Sequence, residues 1–338
     1  MRGFYRAARQ KVPPARHLKT RYLKTFPARA AAAAAAALAI FFALALPART
    51  QTLPLVHVMI VPIDAGAEVF YAKDMGFFAK AGIDVDIGTA ANGGAAAAAV
   101  AGNAVDIGYS DMVSIASAFG RGIPFVVVAP AALHEATEPT NYLMVAANSP
   151  IRTAKDLSGK IVAGSGLGTI SGYAPRAWIE ANGGDLSTVK FVELPFPQMQ
   201  PALDAGRVDA VAIAEPFLSI ARKTDRIIAS PYDAVAKEFL ISAFFTTSTW
   251  AKEHPDLLNR FITAIHEAAV WGNANHAKSA EILLKYAKID PELAANMVRI
   301  HYGERLNPAL MQPVINVAAK YSKFPAFPAD DLIYKPGR

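Results

Sequence analysis

The order of apolar and polar residues along the chain predicts an α/β protein in which one unit occurs twice. In residues 101–111, and again in residues 205–216, an Ala-Gly pair ends a helix of small residues, a Val-Asp pair follows, and a short apolar run ends at an acidic residue. Glycine commonly follows the last helical residue, and a short apolar run between turns fits a strand buried on both faces. The repeat therefore predicts two similar lobes facing each other across a cleft. Coincidence is the alternative, since Gly-x-x-Asp before a strand is common in α/β proteins.

Open α/β sheets bind ligands beyond the carboxyl ends of their strands, so the loops at those ends hold the candidate binding residues. Asn92 is a good helix N-cap, and the glycines that follow it let backbone approach a ligand closely. Three candidates have a structural alternative: Asp64 and Gln198 as helix caps, and Glu215 as part of the turn after its strand. The candidate ligand-binding residues are Asp64, Asn92, Gly93, Ser110, Asp111, Gly168, Thr169, Phe196, Gln198 and Glu215.

Residues 164–172 form a glycine-rich turn between a predicted strand and a predicted helix. Such a turn offers free backbone N–H groups to an anion or to the polar head of a ligand. Its glycines are spaced Gly-x-Gly-x-Gly rather than Gly-x-Gly-x-x-Gly, and no acidic residue follows where a ribose would need one. The turn also lacks the Lys-Ser or Lys-Thr pair of a P-loop. A dinucleotide site and a P-loop are therefore not expected, and no cofactor is predicted.

The sequence patterns of common catalytic and metal sites do not occur in the chain. His134-Glu135 and His266-Glu267 lack a second histidine four residues after the first, and the turn around Ser165 is not a nucleophile elbow. We therefore predict no catalytic residues, no metal site, and a binding protein rather than an enzyme. The candidate loops carry no lysine or arginine, which argues against a multiply charged anion. A monoanion held by helix ends, or a neutral ring compound, fits better.

The amino-terminal segment differs in kind from the rest of the chain. Residues 1–29 carry nine basic residues and no acidic one, and the uninterrupted apolar run Ala30–Leu46 follows. This pattern is typical of a secretory signal, with cleavage expected near Ala48; an uncleaved membrane anchor is the alternative. The whole chain has 34 basic and 28 acidic residues, so removing those nine leaves 25 against 28, a net charge of −3. The mature chain therefore offers no general basic surface for nucleic acid.

The chain contains no cysteine. Disulfides, cysteine metal sites, a thiol nucleophile and a lipid-modified cysteine after the signal are therefore excluded. Together with the signal segment, this composition predicts an exported, unlipidated protein. The most natural compartment is the periplasm of a bacterium with two membranes.

Several segments between Val56 and Trp250 resemble those of a known family, and they occur in the family's order. They are Gly76-Phe77-Phe78 with Gly82-Ile83, Asn92-Gly93-Gly94 through Asp106-Ile107-Gly108, Asp156-Leu157-Ser158-Gly159-Lys160, and Ala202-Leu203 through Val208-Asp209 to Glu215-Pro216-Phe217. In these segments the chain resembles the ABC-transporter substrate-binding proteins of the nitrate, taurine and sulfonate class, which include thiamine-pyrimidine binders.

The resemblance implies an α/β, type II periplasmic-binding-protein fold, in which two Rossmann-like lobes close around a small solute in a central cleft. It implies a monomeric extracytoplasmic receptor that captures a small organic solute, such as a sulfonate, a carboxylate or a pyrimidine. The receptor would hand that solute to an ABC permease and its ATPase. With chain crossings expected near Asn148 and Phe239, residues 1–48 are the signal, 49–147 and 240–338 form lobe one with the C-terminal helices, and 148–239 form lobe two.

Two other functions are compatible with this pattern. One is an enzyme on the same fold that acts on a small heterocycle. The fungal thiamine-pyrimidine synthases share the fold but carry a cysteine-rich motif, which this chain lacks. The other is an effector-sensing domain of a regulator, against which the export signal and the lack of a helix-turn-helix pattern both argue.

Overall fold

The computed structural model describes residues 52–287 and 290–336. The predicted signal segment and its cleavage site lie outside the described residues. In the part of the chain that is described, no helix is both long enough and apolar enough to cross a membrane.

Short β-strands run through most of the described chain and build three sheets. In chain order, the strands are β1 (Leu55–Ile60), β2 (Asp84–Thr89), β3 (Ile107–Asp111), β4 (Phe125–Pro130), β5 (Ala132–Glu135), β6 (Asn141–Ala146), β7 (Ile161–Gly164), β8 (Lys190–Glu193), β9 (Ala210–Ala214), β10 (Asp225–Ala229), β11 (Glu238–Leu240), β12 (Ser242–Thr247) and β13 (His301–Tyr302).

The α-helices alternate with the strands in the first three quarters of the chain and dominate the last quarter. They are α1 (Glu68–Asp74), α2 (Phe77–Lys80), α3 (Gly93–Ala101), α4 (Met112–Phe119), α5 (Ile170–Ala181), α6 (Phe196–Asp204), α7 (Phe217–Ala221), α8 (Ser248–Glu253), α9 (Pro255–Ala274), α10 (His276–Ala287), α11 (Pro291–Asn296) and α12 (Pro308–Ser322).

The first sheet has five strands in the order β2-β1-β3-β12-β4. Strand β1 runs parallel to β2 and β3, whereas β12 runs antiparallel to β3 and β4. In β1, Val56, Val58 and Ile60 are fully buried while Leu55 and His57 are exposed, as alternation along a half-buried strand requires. All six residues of β12 are buried, because helices cover both faces of this inner strand.

The second sheet also has five strands, in the order β10-β6-β9-β7-β8. Strand β7 runs parallel to β8 and β9, and β6 runs antiparallel to β9 and β10. The repeated unit of the sequence supplies the middle strand of each sheet, β3 in the first and β9 in the second. The first four residues of β3 and all five of β9 are buried. The prediction of two similar α/β lobes, each with a buried central strand, is therefore confirmed.

The first crossing between the lobes lies earlier in the chain than expected. The run at residues 142–146 was expected to leave the first lobe, but β6 pairs with β9 and β10 in the second sheet. Leu143, Met144 and Val145 are all fully buried, because separate apolar clusters cover the two faces of this strand. The crossing therefore precedes Asn141 rather than falling near Asn148. The chain returns to the first sheet at β12, just after Phe239.

The C-terminal helices pack onto the first lobe. Helix α9 lies against α1 and α2, where the Phe261 ring stacks on Phe78 with centroids 5.7 Å apart and meets Phe244 edge-on at 5.6 Å. Helix α12 packs along α4 and also reaches α5 of the second lobe, where Tyr321 contacts Tyr173 with centroids 5.3 Å apart. The first lobe therefore holds both the beginning and the end of the described chain.

Candidate functional site

A cavity lies between the two sheets, at the carboxyl ends of their parallel strands; we call it the interlobe cavity. The space between its walls is about 470 Å³ when the part open to solvent is included. The loops after β1, β2, β7 and β8 contribute to its wall, together with the ends of β3 and β9. This is the sheet edge at which the sequence places the candidate binding residues.

Half of the candidate residues line the interlobe cavity. They come from both lobes. The first lobe contributes residues at the starts of two helices, one of them at the end of β3, and the second lobe contributes residues at the starts of two other helices. The candidates in the wall are Asn92, Gly93, Asp111, Thr169 and Phe196.

Asn92 caps a helix of the first lobe and also donates hydrogen bonds to the second lobe. Its side-chain oxygen accepts a hydrogen bond from the Ala95 N–H at 3.0 Å, which makes it the N-cap of α3 as predicted. Its Nδ2 donates to the Ser165 carbonyl at 3.1 Å and to Glu193 Oε1 at 2.9 Å, both in the second lobe. One amide group therefore starts a helix of the first lobe and bonds the first lobe to the second.

Asp111 occupies the corresponding position at the start of α4. Its Oδ1 accepts from the Ser114 N–H at 3.1 Å and from the Ile170 N–H at 2.9 Å, and its Oδ2 accepts from Ser114 Oγ at 2.6 Å. Ser114 belongs to α4, whereas Ile170 is the first residue of α5 across the cavity. Burial raises the pKa of Asp111, and the bonds from Ser114 and Ile170 oppose that shift without cancelling it.

Gly93 lets α3 begin directly against the end of β3. A Cβ atom at this position would lie 2.3 Å from Ser110 Oγ and 2.5 Å from Asp111 Oδ2, distances that no real side chain tolerates. Ser110, a candidate residue, is outside the cavity wall. Its hydroxyl is fully buried in this contact and has no hydrogen-bond partner among the described residues. The absence of a Cβ therefore brings the two capping side chains of the first lobe close together.

Hydrogen bonds between its own residues hold the glycine-rich turn of the second lobe in place. Ser171 Oγ accepts from the Ser165 N–H at 2.7 Å and lies 2.8 Å from Ser165 Oγ, while Thr169 Oγ1 donates to the Gly166 carbonyl at 2.8 Å. A Cβ on Gly172 would lie 2.5 Å from the Gly166 carbonyl oxygen, so α5 can start this close to the turn only with glycine there. These internal bonds fix the position of the α5 N-terminus at the cavity.

Five polar or aromatic residues of the wall were not among the candidates. Tyr109 precedes two candidates on β3 and could have been found from its place in the repeated unit. Asn141 and Tyr232 lie where the chain crosses between the lobes, which no local pattern indicates. Burial raises the pKa of Tyr109 and Tyr232 far above the usual tyrosine range, so both hydroxyls stay neutral. The residues missed are Tyr109, Asn141, Ser165, Ser171 and Tyr232.

Asp64 does not line the cavity, because its carboxylate bonds to other residues of the protein. It forms a buried ion pair with Arg299, whose Nη2 lies 2.8 Å from Asp64 Oδ1 and whose Nε also donates to the carboxylate. Asp64 Oδ2 accepts from the Ile300 N–H at 2.9 Å. The residues on either side, Ile63 and Ala65, do line the cavity. The ion pair therefore holds a wall segment in place and leaves no carboxylate oxygen for a solute.

Glu215 is likewise buried outside the cavity wall. Its two oxygens accept from the Ser219 N–H at 3.0 Å and from Ser219 Oγ at 2.9 Å. Burial raises the pKa of Glu215 from its ordinary value of 4.5 to about 7, although the Ser219 bonds act in the opposite direction. The turn after β9 therefore uses this side chain structurally, as the alternative interpretation of Glu215 anticipated.

Gly168 and Gln198 also fall outside the wall. Both are exposed, Gly168 in a shallow groove beside α3 and Gln198 on the outer side of α6. Helix periodicity explains the second case, since Phe196, two positions earlier, faces the cavity.

Among the described residues that line the cavity, Asp111 is the one aspartate or glutamate, and lysine, arginine and histidine do not occur. The rest of the wall consists of apolar and aromatic side chains, including Tyr109, Phe196 and Tyr232, with a few amides and hydroxyls. A largely apolar wall with few, fixed polar groups suits the capture and orientation of a small organic molecule.

Solved structures of other proteins share the fold of this chain. The alkanesulfonate-binding protein SsuA of Xanthomonas axonopodis pv. citri, solved bound to MOPS, has 15% sequence identity and a TM-score of 0.70, over 83% of this chain and 98% of that chain. The desulfurization enzyme DSZB has 14% identity and a TM-score of 0.63, over 84% and 97% of the two chains. At such identities the likeness concerns the fold alone. The chain therefore has the periplasmic-binding-protein fold, which binding proteins and an enzyme share.

The sequence defines the family more narrowly. The family model described as NMT1/THI5 like matches residues 66–278. The formylaminopyrimidine-binding protein of Halalkalibacterium halodurans is 24% identical over 240 residues, which are 69% of this chain and 71% of that protein. This chain belongs to the NMT1/THI5-like family.

The Asp64–Arg299 pair gives a first prediction about stability. Arg299→Met leaves a carboxylate that is only 2% exposed without its partner, and we expect the free energy of unfolding to fall by about 3–5 kcal/mol. The double variant Asp64→Asn/Arg299→Met has no buried charge at this site and should recover part of that loss. Urea unfolding measures both. Lys285→Met, which breaks the exposed pair with Asp74, is the control and should cost at most about 1 kcal/mol. A similar small loss for Arg299→Met would contradict the assignment.

The buried Glu215 gives a prediction about pH. The folded chain keeps this proton up to about pH 7, whereas the unfolded chain releases it near 4.5, so the folded state binds more protons in between. Stability from this group is therefore present at low pH and is lost as pH rises from 4.5 to 7, by roughly 3 kcal/mol.

In Glu215→Gln the amide oxygen can accept from the Ser219 N–H and the amide nitrogen can donate to Ser219 Oγ, and the titration is removed. Urea unfolding between pH 4.5 and 7.5 should show that the variant loses less stability than wild type across this window. Glu253→Gln, at an exposed position, is the control and should follow wild type. Parallel pH curves for wild type and Glu215→Gln would show that Glu215 titrates normally.

Proposed function

We propose that this chain is the extracytoplasmic solute-binding component of an ABC importer. The observation that carries the proposal is the interlobe cavity, which is enclosed by strand-end loops from two lobes and bridged by only a few polar contacts. A solute that touches both lobes favours the closed arrangement, and closure then presents the loaded protein to a membrane permease.

The solute is a small organic molecule, and the relatives suggest the range of its chemistry. One relative is named for a formylaminopyrimidine, and a structural neighbour is named for alkanesulfonates. Aromatic rings and a few fixed polar groups in the wall suit a single-ring compound or a short-chain acid. Sulfonates, carboxylates and pyrimidines are therefore the classes to screen.

The location and partners follow from the same proposal. The basic and apolar segment at residues 1–48 acts as a cleavable export signal, and the chain offers no cysteine for lipid attachment. The mature protein then works in the periplasm as a monomer. Its partners are the permease and the ATPase of the importer.

An enzyme acting on a small heterocycle is the second candidate, and the likeness to the desulfurization enzyme DSZB is the observation that favours it. The chemistry of the wall favours binding. Asp111, its one carboxylate, accepts three hydrogen bonds from protein groups, so it is poorly placed to take a proton from a substrate. The absence of product after incubation with any solute that binds would separate the two candidates.

A binding screen with a matched pair of variants tests the proposal. Purified protein is screened by thermal shift against sulfonates, carboxylates and pyrimidines, and each stabilising solute is then titrated by calorimetry. We expect at least one solute to bind, and Phe196→Ala, which removes a ring from the wall, to weaken that binding at least tenfold. Gln198→Ala lies on the same helix and faces outwards, so its affinity should equal that of wild type.

Two results would contradict the proposal. One is a folded protein that binds no small molecule across broad panels. The other is a solute whose affinity is unaffected by Phe196→Ala, since that solute would not occupy the interlobe cavity.

A further inference from the structure

The carboxylate of Asp111 lies between the N-termini of two helices that belong to different lobes. Its Oδ1 accepts from the Ser114 N–H in the first turn of α4 and from the Ile170 N–H at the first position of α5, at 3.1 and 2.9 Å. Helix α4 has eight residues and α5 has twelve. The residue is half-buried in this position and lines the interlobe cavity.

Two converging helix N-termini form a favourable position for an anion, because their unpaired N–H groups and the positive ends of their dipoles point at the same place. In a solute-binding cleft, an anionic head group of the solute would fit there. In this chain a side chain of the protein already fills that position. Each of the three bonds to the Asp111 carboxylate is donated by an N–H or O–H group, as expected for an ionised acceptor.

The other groups around the cavity do not offset this charge. Lysine, arginine and histidine are absent from the described residues of the wall. The N-terminus of α3 is capped as well, since Asn92 accepts from the Ala95 N–H and turns its amide towards Ser165 and Glu193. An anionic solute in the cavity would therefore face a resident negative charge at close range between largely apolar walls, where repulsion is screened less than in bulk water.

We propose that Asp111 is the specificity-determining residue of the cleft: it acts as a built-in anion that bridges the two lobes and restricts the solute to molecules without a negative charge. The solute class is then an uncharged or cationic single-ring compound whose ring packs among Tyr109, Phe196 and Tyr232. This inference rests on the proposed solute-binding function, and it narrows the three solute classes named there by removing sulfonates and carboxylates.

Isosteric pairs of probes that differ in charge test the inference. Benzenesulfonate is compared with benzenesulfonamide, and benzoate with benzamide, together with the charged and neutral members of the binding screen. Calorimetric titration gives the affinity ratio of neutral to anionic partners for wild type, Asp111→Asn and Asp106→Asn. Asp106 lies just before β3, at the end remote from the cavity, so its variant changes the net charge equally without touching the wall.

We expect wild type and Asp106→Asn to bind neutral members at least tenfold more tightly than their anionic partners. In Asp111→Asn, which keeps an acceptor for both helix ends, that ratio should fall at least tenfold through a gain in anion affinity. A purely structural role for Asp111 would weaken both members of a pair equally and leave the ratio unchanged. Asp111→Ser, which keeps an N-cap and vacates the position between the helices, should give an equal or larger gain.

Circular dichroism confirms that each variant is folded, and the serine variant carries the test if the asparagine variant does not fold. Anions that bind wild type as tightly as their neutral partners would overturn the inference and leave the proposed function intact. An unchanged ratio in both folded Asp111 variants would also overturn it. If wild type binds no probe and no member of the screen, that result contradicts both the proposed function and this inference.

Discussion

Hydrogen bonds from helix ends hold the two lobes together across the interlobe cavity, and the arrangement of the site depends on them. Asn92 donates to the Ser165 carbonyl and to Glu193, and the Ile170 N–H donates to Asp111. Asn92 and Asp111 each also cap a helix of the first lobe, so their positions are fixed before the lobes meet. A cluster at α12 adds a second point of contact, where Lys320 and Tyr321 both donate to Glu180. Few and polar contacts of this kind suit lobes that close and reopen.

The wall of the cavity is supported from the far side of the first lobe. Asp64 sits between two wall residues, and its partner Arg299 also donates to the His276 carbonyl and to Ser279 Oγ in the C-terminal region. Tyr302 Oη donates to the Asp64 carbonyl at 2.7 Å, which ties the same loop to β13. A buried charge is costly unless it is paired and fully bonded, and this one is both. The C-terminal helices therefore do more than cover the first sheet, since they fix the loop that shapes the cavity.

The sequence was sufficient for the features that local patterns encode. The repeated unit identified the middle strand of each sheet, and the Asn92 cap followed from residue type and position alone. The sequence did not show which residues far apart in the chain would contact each other. Asp64 lies in a strand-end loop, where a ligand contact is expected. However, its carboxylate forms an ion pair with Arg299, which is 235 residues away in the chain. Asn141 and Tyr232 line the cavity only because the chain crosses between the lobes near each of them, and the first of these crossings was expected too late. Gln198 shows a simpler limit, because a correct helix start does not by itself say which side of the helix faces inwards.

The central claim is that a bound solute closes the two lobes around the interlobe cavity. Because the chain has no cysteine, two introduced cysteines at Ala98 on α3 and Gln198 on α6 give a clean spin-label pair across the cleft. Pulsed dipolar spectroscopy should show a broad distance distribution without solute and a shorter, narrower one when a solute identified by calorimetry is present. A bound solute that leaves the distribution unchanged would contradict the account.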